Sequence, residues 1–125
     1  ICGLPLIMED CEVTECNTIG VNVRNGTSLT MRRCVIHHNG TSGIYLSGER
    51  TIGQLINCKS YCNVYSGIVA YSGSRIDLYG EATEVYENGC GGEGHGIKVS
   101  KVGSEVCFHI PDHERYVRNN YGNTL

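Results

Sequence analysis

Apolar residues in this chain come in short bursts two positions apart, as in Leu29 and Met31, Ile44 and Leu46, and Ile97 and Val99. A period of two is that of a short β-strand with one face buried. Between the bursts lie polar tokens such as "RNGTS" (24–28), "LSGER" (46–50), "YSGSR" (71–75) and "SKVGS" (100–104), where Gly or Asn can take left-handed backbone angles and reverse the chain. The pattern predicts many short strands joined by tight turns, and no long helix.

The bursts recur in phase. "HHNGTSGIYL" (37–46) returns as "YCNVYSGIVA" (61–70) and, expanded, as "YENGCGGEGHGIKV" (86–99). Asn17, Asn39, Asn63, Asn88 and Asn120 are spaced by 22, 24, 25 and 32 positions, and Gly20, Gly43, Gly67 and Gly96 follow by 23, 24 and 29. Three apolar series keep the same step: Met8, Met31, Leu55, Leu78 and Phe108; Val21, Ile44, Ile68 and Ile97; Val23, Leu46, Ala70 and Val99. A fixed period is the signature of a stacked repeat. Three strands per lap of roughly 23–30 residues, with laps ~4.8 Å apart, predict an all-β right-handed parallel β-helix of about five coils forming one domain over residues 1–125. The five Asn residues are expected to line one inward corner, each amide donating to the next lap and accepting from the previous one, with the following Gly permitting the turn back into a strand.

Composition changes little of this. Ten basic and thirteen acidic residues are scattered, with a formal charge of −3, which argues against a nucleic-acid groove or an anionic membrane surface. No run reaches the ~20 apolar residues of a membrane span, and the first residues do not form a signal peptide. Eight cysteines suggest a disulfide scaffold at first sight. Cys11, Cys34 and Cys58 however share one repeat position, and a stack of free thiols would fill the core much as Val does. Of the two Asn-Gly-Thr sequons, Asn39 is expected in the buried ladder, so Asn25 is the plausible glycan acceptor. The compartment stays open.

The periodic positions resemble those of the right-handed parallel β-helix repeat family, the pectate-lyase-like architecture shared by polysaccharide lyases, uronan epimerases, phage tailspikes and non-catalytic modules. The resemblance runs from about Leu6 to Leu125 and implies the fold. The same superfold carries enzymes and scaffolds, so function must come from a site.

Three places carry candidate chemistry. In the fourth lap seven residues, "GCGGEGH", separate Asn88 from Gly96 where earlier laps use three; this bulging corner presents Cys90, Glu93 and His95 as a small binding site, or else is a tolerated insertion. Cys16, His38 and Cys62 each precede a ladder Asn, which raises zinc. Two laps separate Cys16 from Cys62, however, ~10 Å, so no metal and no cofactor is expected. "HIPDHER" (109–115) gathers His109, Asp112, His113, Glu114 and Arg115; it loosely resembles the Asp-Pro-His-Glu signature of the uronan epimerases, in the order Pro-Asp-His-Glu. The outward acids Glu9, Asp10, Glu12 and Asp77 form no row from lap to lap.

The expectation is a non-catalytic β-helix module that docks on another protein or a glycan, alone or as a subunit of a larger assembly. The alternative is a uronan lyase- or epimerase-like enzyme, or a fragment of one, using the lap-five cluster. Both ends of the sequence read as uncapped, so at least one is expected to be covered by further chain or a partner.

Overall fold

A computed structural model of the chain describes residues 5–91, 94–112, 116–118 and 120. The strands run in laps of three: β1 (Leu6–Glu9), β2 (Glu12–Thr14) and β3 (Val21–Arg24); β4 (Ser28–Arg32), β5 (Val35–His37) and β6 (Ile44–Ser47); β7 (Ile52–Ile56), β8 (Lys59–Tyr61) and β9 (Ile68–Tyr71); β10 (Arg75–Tyr79), β11 (Glu84–Tyr86) and β12 (Ile97–Ser100); then β13 (Glu105–Phe108) and β14 (Val117–Arg118). They stack as three parallel sheets, β1-β4-β7-β10-β13, β2-β5-β8-β11-β14 and β3-β6-β9-β12. The architecture is an all-β parallel solenoid. Four complete coils and two strands of another are described, slightly fewer than the five coils read from the repeats.

The apolar series are the interior columns of this stack. Met8, Met31, Leu55, Leu78 and Phe108 are direct register partners along the first sheet. Val21, Ile44, Ile68 and Ile97 do the same in the third, beside Val23, Leu46, Ala70 and Val99. Met31, Leu46 and Ile76 are fully buried, and each such side chain contributes roughly 1.5–3 kcal/mol relative to exposure.

Cys11, Cys34 and Cys58 form a thiol column continued by Thr83, because the carbonyls of the three cysteines accept the amides of Val35, Lys59 and Glu84 at 2.9 Å. The Cys34 and Cys58 thiols donate to the carbonyls of Met8 and Met31 at 3.4 and 3.3 Å. All three are free. Burial pushes the Cys58 thiol from 9.0 up to about 11. A thiol whose folded pKa is raised adds stability that is complete below its unfolded pKa and lost as pH rises through the folded one. Melting temperature should therefore fall between 9.0 and about 11, and Cys58→Val should remove part of that decline. Identical slopes for the two proteins would contradict the assignment.

The corner holds an amide ladder that differs from expectation at one end. Asn39 Nδ2 donates to Asn63 Oδ1 (3.0 Å), Asn63 Nδ2 to Asn88 Oδ1 (2.9 Å) and Asn88 Nδ2 to Asn120 Oδ1 (3.0 Å). Each Oδ1 also accepts the backbone N–H of the residue one lap earlier. Asn17 is not a rung. The residue in register with Asn39 is Cys16, whose N–H donates to Asn39 Oδ1 at 3.1 Å, and Asn17 is exposed. Thr14 pairs with His37, a step of 23, whereas Asn17 precedes Asn39 by 22, so it falls one position past the corner.

The glycines that trail the ladder are not there for left-handed backbone. A Cβ on Gly43 would meet Asn63 Nδ2 at 2.7 Å, and one on Gly67 would meet Asn88 Nδ2 at 2.6 Å. They clear room for the rung above. The left-handed positions are instead largely non-glycine: Asp10, Arg33 and Asn57 at one corner and Glu15, His38, Cys62 and Glu87 at another, all with φ between 52° and 57°. Such residues cost of order 1–3 kcal/mol each. Inter-lap hydrogen bonds hold them, as from Arg33 N to Ile56 O (3.0 Å) and Asn57 N to Tyr79 O (3.0 Å).

Candidate functional site

Polar and aromatic groups collect on the outward faces of all three sheets. On the first sheet, strand alternation points Arg75, Asp77 and Tyr79 of β10 outward, and register sets Arg75 opposite Glu105 and Asp77 opposite Cys107 on β13. Arg75 grips Asp77 with Nε on Oδ2 (3.0 Å) and Nη2 on Oδ1 (2.9 Å), while its Nη1 reaches Glu105 Oε1 (3.0 Å). His109 Nε2 lies 2.9 Å from Asp77 Oδ1, and Tyr79 stacks on the imidazole at 4.3 Å with the rings 8° apart. Only 7% of the Asp77 side chain is exposed. Arg75 beside it holds the carboxyl below its ordinary 3.8 against the upward push of burial, and His109 adds to the effect. The result is an ionised, partnered carboxylate under an imidazole that is still 40% exposed.

On the third sheet β6, β9 and β12 turn Tyr45, Val69 and Lys98 outward in one register row, with Ser47, Tyr71 and Ser100 in the next. Tyr45, Tyr71 and the corner residue Tyr65 line a groove of about 310 Å³ with Lys98, Ser42 and Ser66. The Tyr45 and Tyr71 rings are stacked 6.1 Å apart, and Lys101 Nζ sits 5.8 Å from the Tyr71 centroid. Burial raises the Tyr45 hydroxyl's pKa, with Tyr71 adding to the shift and Arg24 opposing it. The groove therefore offers phenol rings, uncharged hydroxyls and a lysine.

The residues singled out from the sequence are distributed as follows. His109 joins Asp77; Asp112 is exposed in the turn after it, with φ 54°; His113, Glu114 and Arg115 lie outside the described residues, as does Glu93. Cys90 is exposed and lines an open cleft with Glu15, His38 and Cys62, whereas the N–H of His95 donates to Ser66 Oγ at 3.2 Å and His95 does not line that cleft. Cys16, which occupies the ladder position, is not equivalent to His38 and Cys62; their register partners are Glu15 and Glu87. Among the described residues no group of three or more His, Cys, Asp or Glu is arranged to hold a metal.

Sequence reasoning missed the Asp77–His109 pair and the tyrosine groove. The signal for the first was present: Leu78 and Phe108, 30 apart, already belonged to one series, and the same offset carries Asp77 to Cys107 and Tyr79 to His109. The groove had no comparable signal, because Tyr65 reaches it from a corner and not from a strand.

The family described as right handed beta helix region matches residues 4–109. No curated protein and no solved structure matches the chain. No helix among the described residues is long and apolar enough to cross a membrane.

Proposed function

This chain belongs to the right-handed β-helix family, and we propose that it is an interaction module that docks a glycan in the tyrosine-lined groove of its third sheet. The observation that carries this reading is the convergence of Tyr45, Tyr65 and Tyr71 with Lys98, Ser42 and Ser66 on one concave strip. Sugar rings present an apolar C–H face that packs on an aromatic ring and an equatorial fringe of hydroxyls that hydrogen-bond to Ser, Tyr and Lys. Three laps span only ~10 Å, so the groove fits a short stretch of glycan and is too small for the ~800 Å² per partner of a protein interface.

Docking is favoured over turnover there, since among the described residues neither a carboxylate nor a histidine lines the groove. The uronan-active alternative calls for grouped acids. On the outward face of the first sheet, Asp77 has Gln54 and Cys107 as lateral neighbours and Glu105 has Arg75, so no carboxylate row forms among the described residues.

Titrating neutral and acidic oligosaccharides by calorimetry tests the reading. Binding should weaken at least about tenfold, ~1.4 kcal/mol, in Tyr45→Ala/Tyr71→Ala, with the melting temperature little changed. Unaltered affinity in that variant, or no binding across the glycan panel, would remove it.

A further inference from the structure

Independently of the groove, the geometry points to Cys107, with His109 and Asp77, as a nucleophilic thiol centre that accepts acyl groups from thioesters and activated esters. Thiol, imidazole and carboxylate lie on one outward face: Cys107 is the direct register partner of Asp77, and His109 follows Cys107 by two positions on the same side of the chain. His109 Nε2 is 2.9 Å from Asp77 Oδ1. With the carboxylate ionised, Nε2 carries the hydrogen, and the second ring nitrogen, Nδ1, is left in the tautomer that accepts a proton. A thiol, a base and a third group that orients the base are the ingredients of nucleophilic catalysis at cysteine.

The supporting contacts are those of a held imidazole. Arg75 fixes Asp77 through two hydrogen bonds, and Tyr79 lies parallel to the His109 ring at 4.3 Å, restricting its rotation. A solvated surface pair needs neither. Cys107 is partly exposed, while Cys34 and Cys58 of the core column are buried.

In the step itself His109 takes the proton of the Cys107 thiol as sulfur attacks the acyl carbon of R–CO–SR′. The tetrahedral adduct collapses by breaking the carbon–SR′ bond, and the imidazolium returns the proton to the departing thiolate. Cys107–S–CO–R and R′–SH result, with no change of oxidation state. Cys107 and His109 are the reacting groups; Asp77, Arg75 and Tyr79 are positioning residues.

The test is acetylation by S-phenyl thioacetate, followed per cysteine by peptide mass spectrometry. Cys90, exposed in a turn outside the strands, is the internal reference. Cys107 should acquire acetyl about tenfold or more faster than Cys90, and His109→Gln should slow Cys107 roughly 100-fold while leaving Cys90 unchanged. Asp77→Asn should slow Cys107 and shift the pH at which its rate rises. A variant that merely loosened the fold would instead accelerate Cys34 and Cys58, so those peptides separate the two causes. Equal rates at Cys107 and Cys90, or an unaffected rate in His109→Gln with Cys34 and Cys58 still protected, would overturn the proposal.

Discussion

Met31→Asp is expected to unfold the protein at room temperature, while Arg32→Asp, one residue along the same strand, leaves it folded. Met31 is fully buried and stands between Met8 and Leu55 in the first-sheet column. A carboxyl there is either ionised without a partner or held protonated far from its ordinary range; both cost several kcal/mol, and the volume and contacts of the Met side chain are lost as well. Total stability of a domain this size is only about 5–15 kcal/mol. Arg32 faces outward with 42% of its side chain exposed, and its nearest carboxylate oxygen, on Glu9, is 3.8 Å away. Such a pair contributes ~0–1 kcal/mol. Circular dichroism and urea titration of the two variants distinguish them at once; equal midpoints would mean that the inward and outward assignment of β4 is wrong.

Asn63→Ala should cost about 3–5 kcal/mol, whereas Asn17→Ala should change stability by no more than about 0.5 kcal/mol. Asn63 has no exposed surface. Its Oδ1 accepts from both the backbone N–H and the Nδ2 of Asn39 at 3.1 and 3.0 Å, and its Nδ2 donates to Asn88 Oδ1 and Ser60 Oγ at 2.9 and 3.2 Å. Truncation removes four hydrogen bonds, leaving the buried Asn39 backbone N–H without its acceptor and Asn39 Nδ2 with only the longer bond to Val13 O (3.4 Å), and an orphaned buried donor costs more than the bonds themselves contribute net. The exposed Asn17 belongs to no such chain. Chemical denaturation gives both numbers, and a mild Asn63→Ala would show that the ladder relaxes or that water enters it.

Much of this architecture is legible in the sequence. The step between Met8, Met31, Leu55 and Leu78 set strand register correctly along the first sheet, and the Ile44–Ile68–Ile97 step did so along the third. Asn17 misled because a match of residue type overrode a one-position difference in spacing, and in stacked strands one position is enough to leave the column. The second polar column, in which Thr51 Oγ1 bonds Ser47 O (2.9 Å) and Ser74 Oγ bonds Leu46 O (3.0 Å), was hidden because Thr and Ser at turns read as solvent-facing loops.

What the sequence determined by itself is whatever recurs once per lap: the parallel stack, its apolar columns, the thiol column and most of the amide ladder. Recurrence makes each lap the template for the next, so a one-dimensional period is enough to establish which residues touch. Only the tertiary structure decided what happens on the outer faces. The offset between laps sets Cys107 beside Asp77, but the side-chain directions that bring His109 onto Asp77, and the path by which Tyr65 comes in from a corner to join Tyr45 and Tyr71, are tertiary. None of these contacts repeats, so each depends on side-chain directions and loop paths that a period does not encode.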